Sequence, residues 1–573
     1  MRCKILKRIF LICFFSQQIF SAFSQNEIDS IFNKQNGINF KFNISSRNEL
    51  NSLTRIISID NVKGNEVFAY ANKKEFLNFL QLKYPYTILN ALSLLINPKM
   101  YDRSEKGGYN WNAYPTYQAY EAMMYQFAAD YPTLCKLDTI GILASGRKLL
   151  AVKISNNVNK IENEPQFLYT SSMHGYEVAG YVLMLRLIDY LLSNYGKDSL
   201  TTYLVNHVAI WINPLADPDG TYYSGNSTVA NGIRENANGV DINRNFPDPA
   251  DGTHPDGNQW QPETVAFMDF AEKHNFVMSI NYHSGSEVLN YPWDTFSRLH
   301  ADNDWWMFVS KMYADTVHKY SSFNGYFTDQ NNGITNGYSW YPVSGGRQDY
   351  MNYFHHCREA TIELIKLSYF GQIPDASTLP SCWDYNYHSF LNYIQQCVYG
   401  IRGNVQDSIT HAPLKALITI DNHDKDSSQV YSSLPLGFFS RPIFQGTYNI
   451  TFSSSGYISK TLKNIIVKNN STLNLDTILL AKDTTNSIAY LNSSKTDVNI
   501  FPNPSHGHFT IQIPASDQNC FFKITNQTGQ LIFYSDKIKE NQYSLDLTSY
   551  PKGIYYLIFS NNKNIKTFKL VSY

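Results

Sequence analysis

Between residues 115 and 395, short apolar runs alternate with longer segments whose apolar residues recur every three or four positions. The short runs predict buried strands, and the longer segments predict amphipathic helices. The predicted strands are 149–154, 167–170, 208–212, 276–282 and 360–364, and the predicted helices are 117–131 and 182–192. Strands and helices in alternation predict an α/β domain with a mixed, mostly parallel sheet between helices.

The pattern changes on both sides of this region. Residues 40–98 predict a small α+β unit, with strands at 53–59, 66–70 and 86–89 and a helix at 73–82. After residue 400, short alternating strands and turns form two blocks, each of which predicts a small all-β sandwich domain. The predicted divisions are 1–24, a signal peptide; 25–110, an N-terminal accessory or pro-segment-like unit; 111–398, the α/β domain; 399–480, the first β-sandwich; and 481–573, a linker and the second β-sandwich.

The first 24 residues have the organisation of a secretory signal. Basic residues open the chain, an apolar run covers 9–15, and Ala22-Phe23-Ser24 is a small-x-small cleavage pattern. A membrane anchor is the alternative, but the apolar run is too short to cross a bilayer. The mature chain is therefore expected to be secreted and to contain no transmembrane segment.

Composition narrows the classes of partner. The 573-residue chain has 47 basic and 48 acidic residues, a net charge of −1, so charge gives no reason to expect nucleic acid or an anionic membrane as a partner. Five cysteines follow the predicted signal, and Cys382 and Cys397 are the nearest pair in sequence. One or two disulfides are compatible with this number, although the sequence does not fix their connectivity.

His174 and Glu177 are the first candidates for chemistry. They lie in His174-Gly175-Tyr176-Glu177, between the predicted strand 167–170 and a helical pattern that begins near residue 178. An imidazole and a carboxylate three residues apart on such a turn can bind one metal ion, and zinc accepts both ligand types. The alternative is a solvated histidine in a loop.

His283 and Glu363 are candidates for completing such a site. His283 ends a predicted strand, so it would project at the carboxyl edge of the sheet, where open α/β sheets place ligands. Glu363 lies within an apolar strand, where a carboxylate is costly unless it is paired, bound to metal or functional. The alternatives are a hydrogen-bonded histidine in a turn and a glutamate at the exposed end of an edge strand.

A third group has the chemistry to bind a carboxylate. Arg234 precedes Asn243 and Arg244 by nine and ten positions, and an arginine fork binds a carboxylate through paired hydrogen bonds. Tyr341 lies in a glycine-containing aromatic loop from which it would close on a substrate. The alternatives are surface arginines in a polar loop and a tyrosine that belongs to the core.

Taken together and in order, these residues resemble the zinc metallocarboxypeptidases, and among them the regulatory (N/E-type) subfamily. The resemblance covers about residues 115–395. It rests on His174-Gly-Tyr-Glu177, Asn213-Pro-Leu-Ala-Asp-Pro-Asp-Gly220, Arg234, Asp241-Ile-Asn-Arg-Asn-Phe-Pro247, Asn281-Tyr-His283, Asn290-Tyr-Pro-Trp-Asp294, Tyr341 and Glu363.

The resemblance implies a role for each residue. His174, Glu177 and His283 would bind Zn²⁺, and Glu363 would serve as general base and then acid. Arg234 would stabilise the oxyanion. The C-terminal carboxylate of the substrate would bind to Asn243, Arg244 and Tyr341. Tyr176 departs from the usual residue and is expected to line the outer cleft.

Asp294 and Gln348 extend the resemblance to specificity. Asp294 stands where subfamily members that remove Lys and Arg have an aspartate, and Gln348 is polar at the base-of-pocket position. A buried acid and a polar floor favour a cationic side chain, so C-terminal Lys or Arg is the expected target. Arg347 is a complication, because pointing inward it would oppose a cation.

The flanking blocks resemble known modules. Residues 399–480 are similar to the transthyretin-like domain of the regulatory subfamily. Residues 481–573, with Ile500-Phe-Pro-Asn-Pro-Ser505, are similar to the C-terminal sorting domain of the type IX secretion system, which implies a secreted or cell-surface bacterial protein and that machinery as a partner. An adhesive β-sandwich is the alternative for this block, and an inert accessory domain is the alternative for the N-terminal unit.

The sequence therefore predicts a secreted zinc carboxypeptidase with one Zn²⁺, acting on peptide or protein C-termini and expected to be a monomer. One alternative keeps the fold but changes the substrate to peptidoglycan or Glu-ended peptides. The other is a surface binding protein without catalysis.

Overall fold

A computed structural model describes most of the chain. The described residues are 25–32, 37–89, 97–102, 109–367, 373–483, 498–513, 520–527, 529–535, 538, 540–560 and 565–573. The predicted signal peptide lies outside the described residues. The chain divides into two units, Met1–Lys482 and Asp483–Tyr573.

The described helices all belong to the first unit. They are α1 (Gln25–Phe32), α2 (Leu50–Leu53), α3 (Lys73–Gln81), α4 (Tyr117–Asp130), α5 (Ala179–Asn194), α6 (Ser199–His207), α7 (Pro218–Thr221), α8 (Pro262–Lys273), α9 (Asn303–Tyr320), α10 (Asp329–Asn332), α11 (Gly337–Trp340), α12 (Arg347–Phe354) and α13 (Leu379–Gln396). None of the helices in the described part of the chain is both long and apolar enough to cross a membrane.

An eight-stranded sheet forms the centre of residues 114–398. Its strands are β7 (Cys135–Ile142), β8 (Lys148–Ile154), β9 (Gln166–Ser171), β10 (Ala209–Asn213), β11 (Phe276–Gly285), β12 (Val288–Tyr291), β13 (Ile334–Asn336) and β14 (Arg358–Lys366). The order is β13-β12-β14-β11-β9-β10-β8-β7. The inner strands β10, β9, β11 and β14 run parallel, whereas β12 is antiparallel to β14, and β8 is antiparallel to both β10 and β7. The predicted mixed, mostly parallel sheet is confirmed.

Apolar side chains of the helices cover this sheet. Helix α5 buries almost every residue from Ala179 to Ile188, and it shares one core with α4, α9 and α13. A second cluster, which includes Phe267 and Phe270 of α8, packs on the sheet residues Leu168 and Trp211. Burial on both faces explains why the inner strands are continuous apolar runs in the sequence.

The N-terminal unit consists of one small sheet and short helices. Its strands are β1 (Gly37–Asn43), β2 (Ser58–Lys63), β3 (Glu66–Asn72) and β4 (Tyr86–Leu89), in the order β2-β3-β1-β4. The predicted strand at 53–59 is wrong over most of its length, because Ser46 and Glu49 form a capping box that begins a helical segment ending at Leu53. The next strand therefore begins only at Ser58.

Residues 400–480 form two facing sheets around their own apolar core. The strands are β15 (Gly400–Asp407), β16 (Leu417–Ile420), β17 (Val430–Tyr431), β18 (Phe438–Arg441), β19 (Gly446–Ser453), β20 (Lys460–Val467) and β21 (Thr472–Leu480). Buried arginines join this sandwich to the central domain: Arg441 of β18 donates hydrogen bonds to Asp302, and Arg358 of β14 donates to the carbonyl of Ser428. The two-stranded ladder of β5 (Met100–Tyr101) and β6 (Tyr114–Pro115) lies ahead of α4.

The second unit is an all-β domain. Its strands are β22 (Asn499–Phe501), β23 (His508–Gln512), β24 (Phe521–Asn526), β25 (Leu531–Tyr534), β26 (Gln542–Asp546), β27 (Gly553–Ser560) and β28 (Ile565–Ser572). They form two sheets, β22-β23-β26 and β25-β24-β27-β28, around one apolar cluster. This agrees with the predicted β-sandwich.

The cysteines do not form the disulfides that their number allowed. All five cysteines in the described part of the chain are buried, and none of them is joined to another by a disulfide. Cys382 lies in α13 and Cys397 caps its C-terminus, which places them about 22 Å apart along the helix axis. A disulfide requires Cα atoms within about 7 Å, so this pair cannot be bridged.

Candidate metal centre and active site

Three neighbouring strands place the predicted ligands and base at one edge of the central sheet. His174 follows the end of β9, His283 is among the last residues of β11, and Glu363 lies in β14. Strand β11 pairs in parallel with both β9 and β14, so all three side chains emerge at its carboxyl edge. This is the edge where sheets of this type bind ligands.

The local fold of the His174–Glu177 turn depends on a close backbone approach. A Cβ atom on Gly175 would lie 2.2 Å from the carbonyl carbon of Gly220, so only glycine allows the turn to lie against α7, the short helix after β10. Ser172 steadies the other side, because its hydroxyl donates to the carbonyl of Glu177 at 2.9 Å. The turn is therefore fixed before any metal binds.

The side chains of His174, Glu177 and His283 converge on one point. Their potential ligand atoms all lie within 4.8 Å of one another, and all three side chains are buried. Nδ1 of His174 lies 2.8 Å from Oε1 of Glu177, and Nδ1 of His283 lies 2.8 Å from Oε2. Two imidazole nitrogens and a carboxylate are a donor set that fits a catalytic zinc ion, with a fourth position left for water.

Further residues orient the two imidazoles from behind. Oδ1 of Asp241 lies 3.1 Å from Nε2 of His174, and the side-chain amide nitrogen of Asn281 lies 2.8 Å from Nε2 of His283. These contacts leave Nδ1 of both rings facing Glu177. A carboxylate behind a metal-binding histidine fixes its ring orientation and raises its basicity. Sequence reasoning gave Asp241 no role, although it begins the Asp241–Pro247 motif.

Glu363 lies beside this cluster. It faces His283 across the strand pair, its Oε2 atom is buried, and no partner for that atom is found among the described residues. Burial and the neighbouring charge of Glu177 hold the pKa of Glu363 well above its usual value. An acid so placed favours a bound proton and has a free oxygen for a substrate or water.

The predicted carboxylate-binding residues lie in the same cavity. Arg234, Asn243, Arg244 and Tyr341 all line it together with the three ligands and Glu363. Arg234 is buried, and its Nε atom donates to Oδ2 of Asp241 at 2.9 Å. The structure therefore brings together the groups that the sequence placed far apart.

Asp294 lies at another wall of the cavity, within a polar pocket. Its Oδ1 atom accepts hydrogen bonds from Asn290 Nδ2 and from Gln348 Nε2, each at 3.0 Å. The amide oxygens of Asn290 and Gln348 are buried without a hydrogen-bond partner among the described residues. Burial raises the pKa of Asp294 to about 7.

Two residues around this pocket differ from the sequence-based expectation. Arg347 does not oppose a cation, because its Nε atom donates to Oε1 of the buried Glu359 at 2.9 Å. Tyr176 does not lie at the outer cleft: it is buried in the cavity, with its hydroxyl 3.4 Å from Nη1 of Arg234.

Asp60 is the residue that sequence reasoning missed altogether. It belongs to strand β2 of the N-terminal unit, yet it lines the same cavity, with Oδ1 2.7 Å from Nη1 of Arg234. Burial raises the pKa of Asp60 to about 6. Neither the hydrophobic pattern of the sequence nor any motif in it predicts that residue 60 contacts residue 234.

Comparison with known proteins assigns the chain to a family. The zinc carboxypeptidase family model matches residues 120–389. Carboxypeptidase M of Mus musculus is 34% identical over 363 residues, which cover 60% of this chain and 78% of that protein. The chain belongs to the zinc carboxypeptidase family.

A longer relative agrees with this membership. Carboxypeptidase D of Homo sapiens is 35% identical over 383 residues, which cover 64% of this chain. The chain spans only 26% of the length of that protein. A carboxypeptidase A structure from Helicoverpa armigera aligns with a TM-score of 0.49 and 17% identity, covering 63% of this chain and 97% of that one. The D and M relatives belong to the regulatory subfamily that the motifs indicated.

The end of the chain matches a second family. Residues 499–572 match the secretion system C-terminal sorting domain. This confirms the predicted type IX sorting domain, and it marks the carboxypeptidase as a secreted or cell-surface bacterial protein.

Proposed function

We propose that this carboxypeptidase hydrolyses the last peptide bond of peptides and proteins and that it releases C-terminal Lys or Arg. The observation that carries the proposal is one cavity that contains His174, Glu177, His283 and Glu363 beside Arg234 and Asp294. All of these residues come from one chain, so the proposal takes the mature protein as a monomer.

His174, Glu177 and His283 are proposed to hold the zinc ion, because their ligand atoms converge and Asp241 orients His174 from behind. When bound, zinc polarises the scissile carbonyl and lowers the pKa of a bound water to about 7. The family membership supports the identity of the metal.

Glu363 is proposed to take a proton from the attacking water and to pass it to the leaving amine. Its buried carboxyl lies next to the zinc ligands, and a raised pKa matches a group that must both accept and return a proton near neutral pH. It has no competing hydrogen-bond partner at Oε2 within the described residues.

Arg234 and Arg244 are proposed to act on charges of the substrate. Arg234 lies nearer the zinc ligands, with Nη1 4.0 Å from Oε1 of Glu177, so it is placed to stabilise the oxyanion. Arg244, with Asn243 and Tyr341, is placed to bind the terminal carboxylate, which restricts cleavage to the end of a chain. Among the described residues, no partner is found for the buried Nε atom of Arg244. This supports the assignment, because a buried donor without a partner favours an incoming acceptor.

Asp294 and Gln348 are proposed to select a cationic side chain. Asp294 and Asn290 line the cavity, and Gln348 contacts Asp294 beside it. The amide oxygens of Asn290 and Gln348 have no hydrogen-bond partner among the described residues, so both are acceptors that remain available next to the Asp294 carboxyl. An ammonium or guanidinium group satisfies such a set, whereas a carboxylate would be repelled by it. Arg347 leaves the pocket free, since it pairs with Glu359.

The proposal is tested with peptides that differ only in their last residue: Arg, Lys, Glu, Phe and diaminopimelate. Because Asp60 lies in the cavity, kcat/KM is measured on the intact chain and after a cut in residues 103–108. We expect Arg and Lys to exceed the other ends by about ten-fold or more, as the loss of a buried charge pair would require. A preference for Glu or diaminopimelate overturns the specificity, and no hydrolysis by any form overturns the catalytic function.

A further inference from the structure

One loop of the first β-sandwich lies against the part of the α/β domain that holds the specificity pocket. This sandwich loop, residues 421–429, joins β16 to β17. Two successive residues in it, Asp426 and Ser427, have positive φ angles of 49° and 63°. Residues other than glycine seldom adopt this left-handed conformation, so the loop has a specific, sharply turned backbone. Both residues use it to contact the α/β domain.

The first contact is with the segment that follows β12. This pocket segment, residues 292–302, contains Asp294 and, four positions later, Arg298. Nε and Nη2 of Arg298 donate to the two carboxylate oxygens of Asp426, each at 2.8 Å. The same guanidinium lies over the ring of Phe296, 3.7 Å from its centre. A bidentate pair fixes direction as well as distance, so the loop determines where this part of the segment lies.

The second contact holds the other end of the pocket segment. The buried Asp302 carboxylate accepts from Nη1 and Nη2 of Arg441 at 2.8 and 2.9 Å. Its backbone N–H donates to Nδ1 of His300 at 2.9 Å, and the ring centres of His300 and Trp293 are 4.8 Å apart. Trp293 is fully buried and directly precedes Asp294. Buried side chains therefore connect an arginine of the sandwich to the acid of the pocket.

The sandwich loop also contacts the opposite side of the pocket. Helix α12 carries Asp349, whose carboxyl accepts from the backbone N–H groups of Asp294 and Thr295 at 3.0 and 2.7 Å. Just after this helix, Nδ1 of His356 donates to the carbonyl of Ser427 at 2.8 Å. The loop thus contacts both segments that hold Asp294 in place.

The sandwich has other contacts with the α/β domain. Nδ2 of Asn404 donates to Oδ1 of Asn163 at 3.0 Å, and the ring of Phe444 packs against that of Phe308. Neither contact involves the pocket segment. These contacts help to hold the two domains together, so the charged contacts of the sandwich loop have a separate consequence, which is to fix the position of residues 292–302.

We propose that the sandwich loop and Arg441 position the specificity pocket, with Asp426 and Asp302 as positioning residues for the selection of C-terminal Lys or Arg. This inference rests on the proposed function, because it assumes that a cationic side chain binds at Asp294. None of the three residues lines the cavity, so they act through the pocket segment. Such an effect is expected because a binding site must hold its charged groups within about 0.5 Å of their working positions.

The test uses variants of the full chain. Asp302→Asn removes the acidic partner of the buried arginine. Asp426→Asn removes the bidentate acceptor but keeps the left-handed backbone, which asparagine tolerates as aspartate does. Arg298→Ala removes the other half of the same pair, and its side chain is 51% exposed, so the fold should tolerate the change. Asn163→Ala is the matched control, since it removes a contact of the sandwich that lies outside the pocket segment.

Two readouts separate positioning from general stability. The first is the ratio of kcat/KM for an Arg-ended peptide to that for an Ala-ended peptide, measured on the intact chain and on the chain cut in residues 103–108. The second is hydrogen exchange of residues 293–296, measured by mass spectrometry. A purely structural role would lower the activity on both peptides equally and leave their ratio unchanged.

We expect D302N to lower the ratio by about ten-fold or more, because it leaves a buried charge without its partner. D426N and R298A should each lower it by about three- to five-fold, the scale of a partly exposed ion pair. The double variant should lose no more, since both changes remove the same contact. The loss should appear as a higher KM for the Arg-ended peptide at unchanged kcat. Exchange should be faster in the same order, and N163A should change neither readout.

Unchanged exchange of residues 293–296 in D426N and R298A overturns the inference. Faster exchange with an unchanged ratio, in a chain that prefers the Arg-ended peptide, overturns it as well. If D302N fails to fold, D426N and R298A give the same comparison. Faster exchange in a chain that has no preference for the Arg-ended peptide supports the fixed position of Asp294 and overturns the proposed specificity instead.

Discussion

His283 and Glu363 lie directly opposite each other on two neighbouring parallel strands, β11 and β14. A metal-ligand candidate and the proposed base are therefore fixed by the hydrogen-bond register of the sheet, not by a loop. Groups on rigid strands keep their geometry without a substrate, which a proton transfer over hydrogen-bond distance requires.

Glu363→Gln is expected to separate metal binding from catalysis. The amide keeps the shape of the side chain but cannot accept and return a proton, so kcat should fall by about 10²- to 10⁴-fold. Zinc content, measured by mass spectrometry of the native protein, should stay at one per chain. Glu272→Gln, at an exposed position of α8, is the control, and equal activity of the two variants would contradict the assignment.

Asp241→Asn is expected to weaken zinc binding. Asp241 lies 3.1 Å from Nε2 of His174, and loss of a carboxylate behind a metal-binding histidine costs about 10- to 100-fold in affinity. Competition with a chelator of known affinity measures the change. Asp269→Asn, an exposed site on α8, should leave the affinity unchanged. An unaltered affinity in D241N would show that the contact does not orient the ligand.

Gly337→Ala is expected to damage the specificity pocket. A Cβ atom on Gly337 would lie 1.7 Å from Oδ1 of Asp294, so either the loop or the carboxylate must move. The value of kcat/KM for Arg-ended peptides should fall by about ten-fold or more, the scale of a lost charged hydrogen bond. An Ala-ended peptide, which does not reach Asp294, serves as the internal control. An equal loss on both peptides would contradict a specific effect on this pocket.

Docking of the N-terminal unit should weaken as the pH rises. Burial raises the pKa of Glu235 to about 7 and that of Glu75 to about 8. Both carboxyls lie near the contact between the unit and the α/β domain, where Tyr70, Arg234 and Asp241 also face Glu235. A carboxyl whose pKa is raised by docking stabilises the docked unit while it is protonated. This stabilisation is complete below the ordinary pKa of about 4.5 and is lost as the pH rises to about 8.

Hydrogen exchange of the β2 amides between pH 5 and 9, corrected for the intrinsic pH dependence, measures this effect. Protection should fall by about ten-fold or more over the range, as one pKa unit corresponds to a tenfold change in equilibrium. Glu235→Gln should reduce the slope. A pH-independent protection in the unaltered chain would contradict the prediction.

Much of the catalytic site could be predicted because the motifs are short and local. His174 and Glu177 share one turn, and His283 and Glu363 end apolar strands whose period is visible in the sequence. Even so, residues 174, 283 and 363 meet at one point only because the strand order is β14-β11-β9, and the apolar pattern does not predict that order.

The part of the site that the sequence did not predict depends on contacts between the N-terminal unit and the α/β domain. Asp60 meets Arg234 across 174 residues of chain, and no spacing rule predicts such a pair. The misplaced strand at 53–59 had a local signal, the Ser46–Glu49 capping box, that predicts a helix start. Cys382 and Cys397 are the nearest pair in sequence, but helix α13 holds them apart in space.

The central claim is tested most directly by mass spectrometry of a mixed peptide library after digestion with the chain cut in residues 103–108, with and without a zinc chelator. We predict removal of single C-terminal Lys and Arg residues, no internal cleavage, and loss of all cleavage with the chelator. Cleavage that persists without zinc, or cuts within the peptides, would contradict a zinc carboxypeptidase with this site.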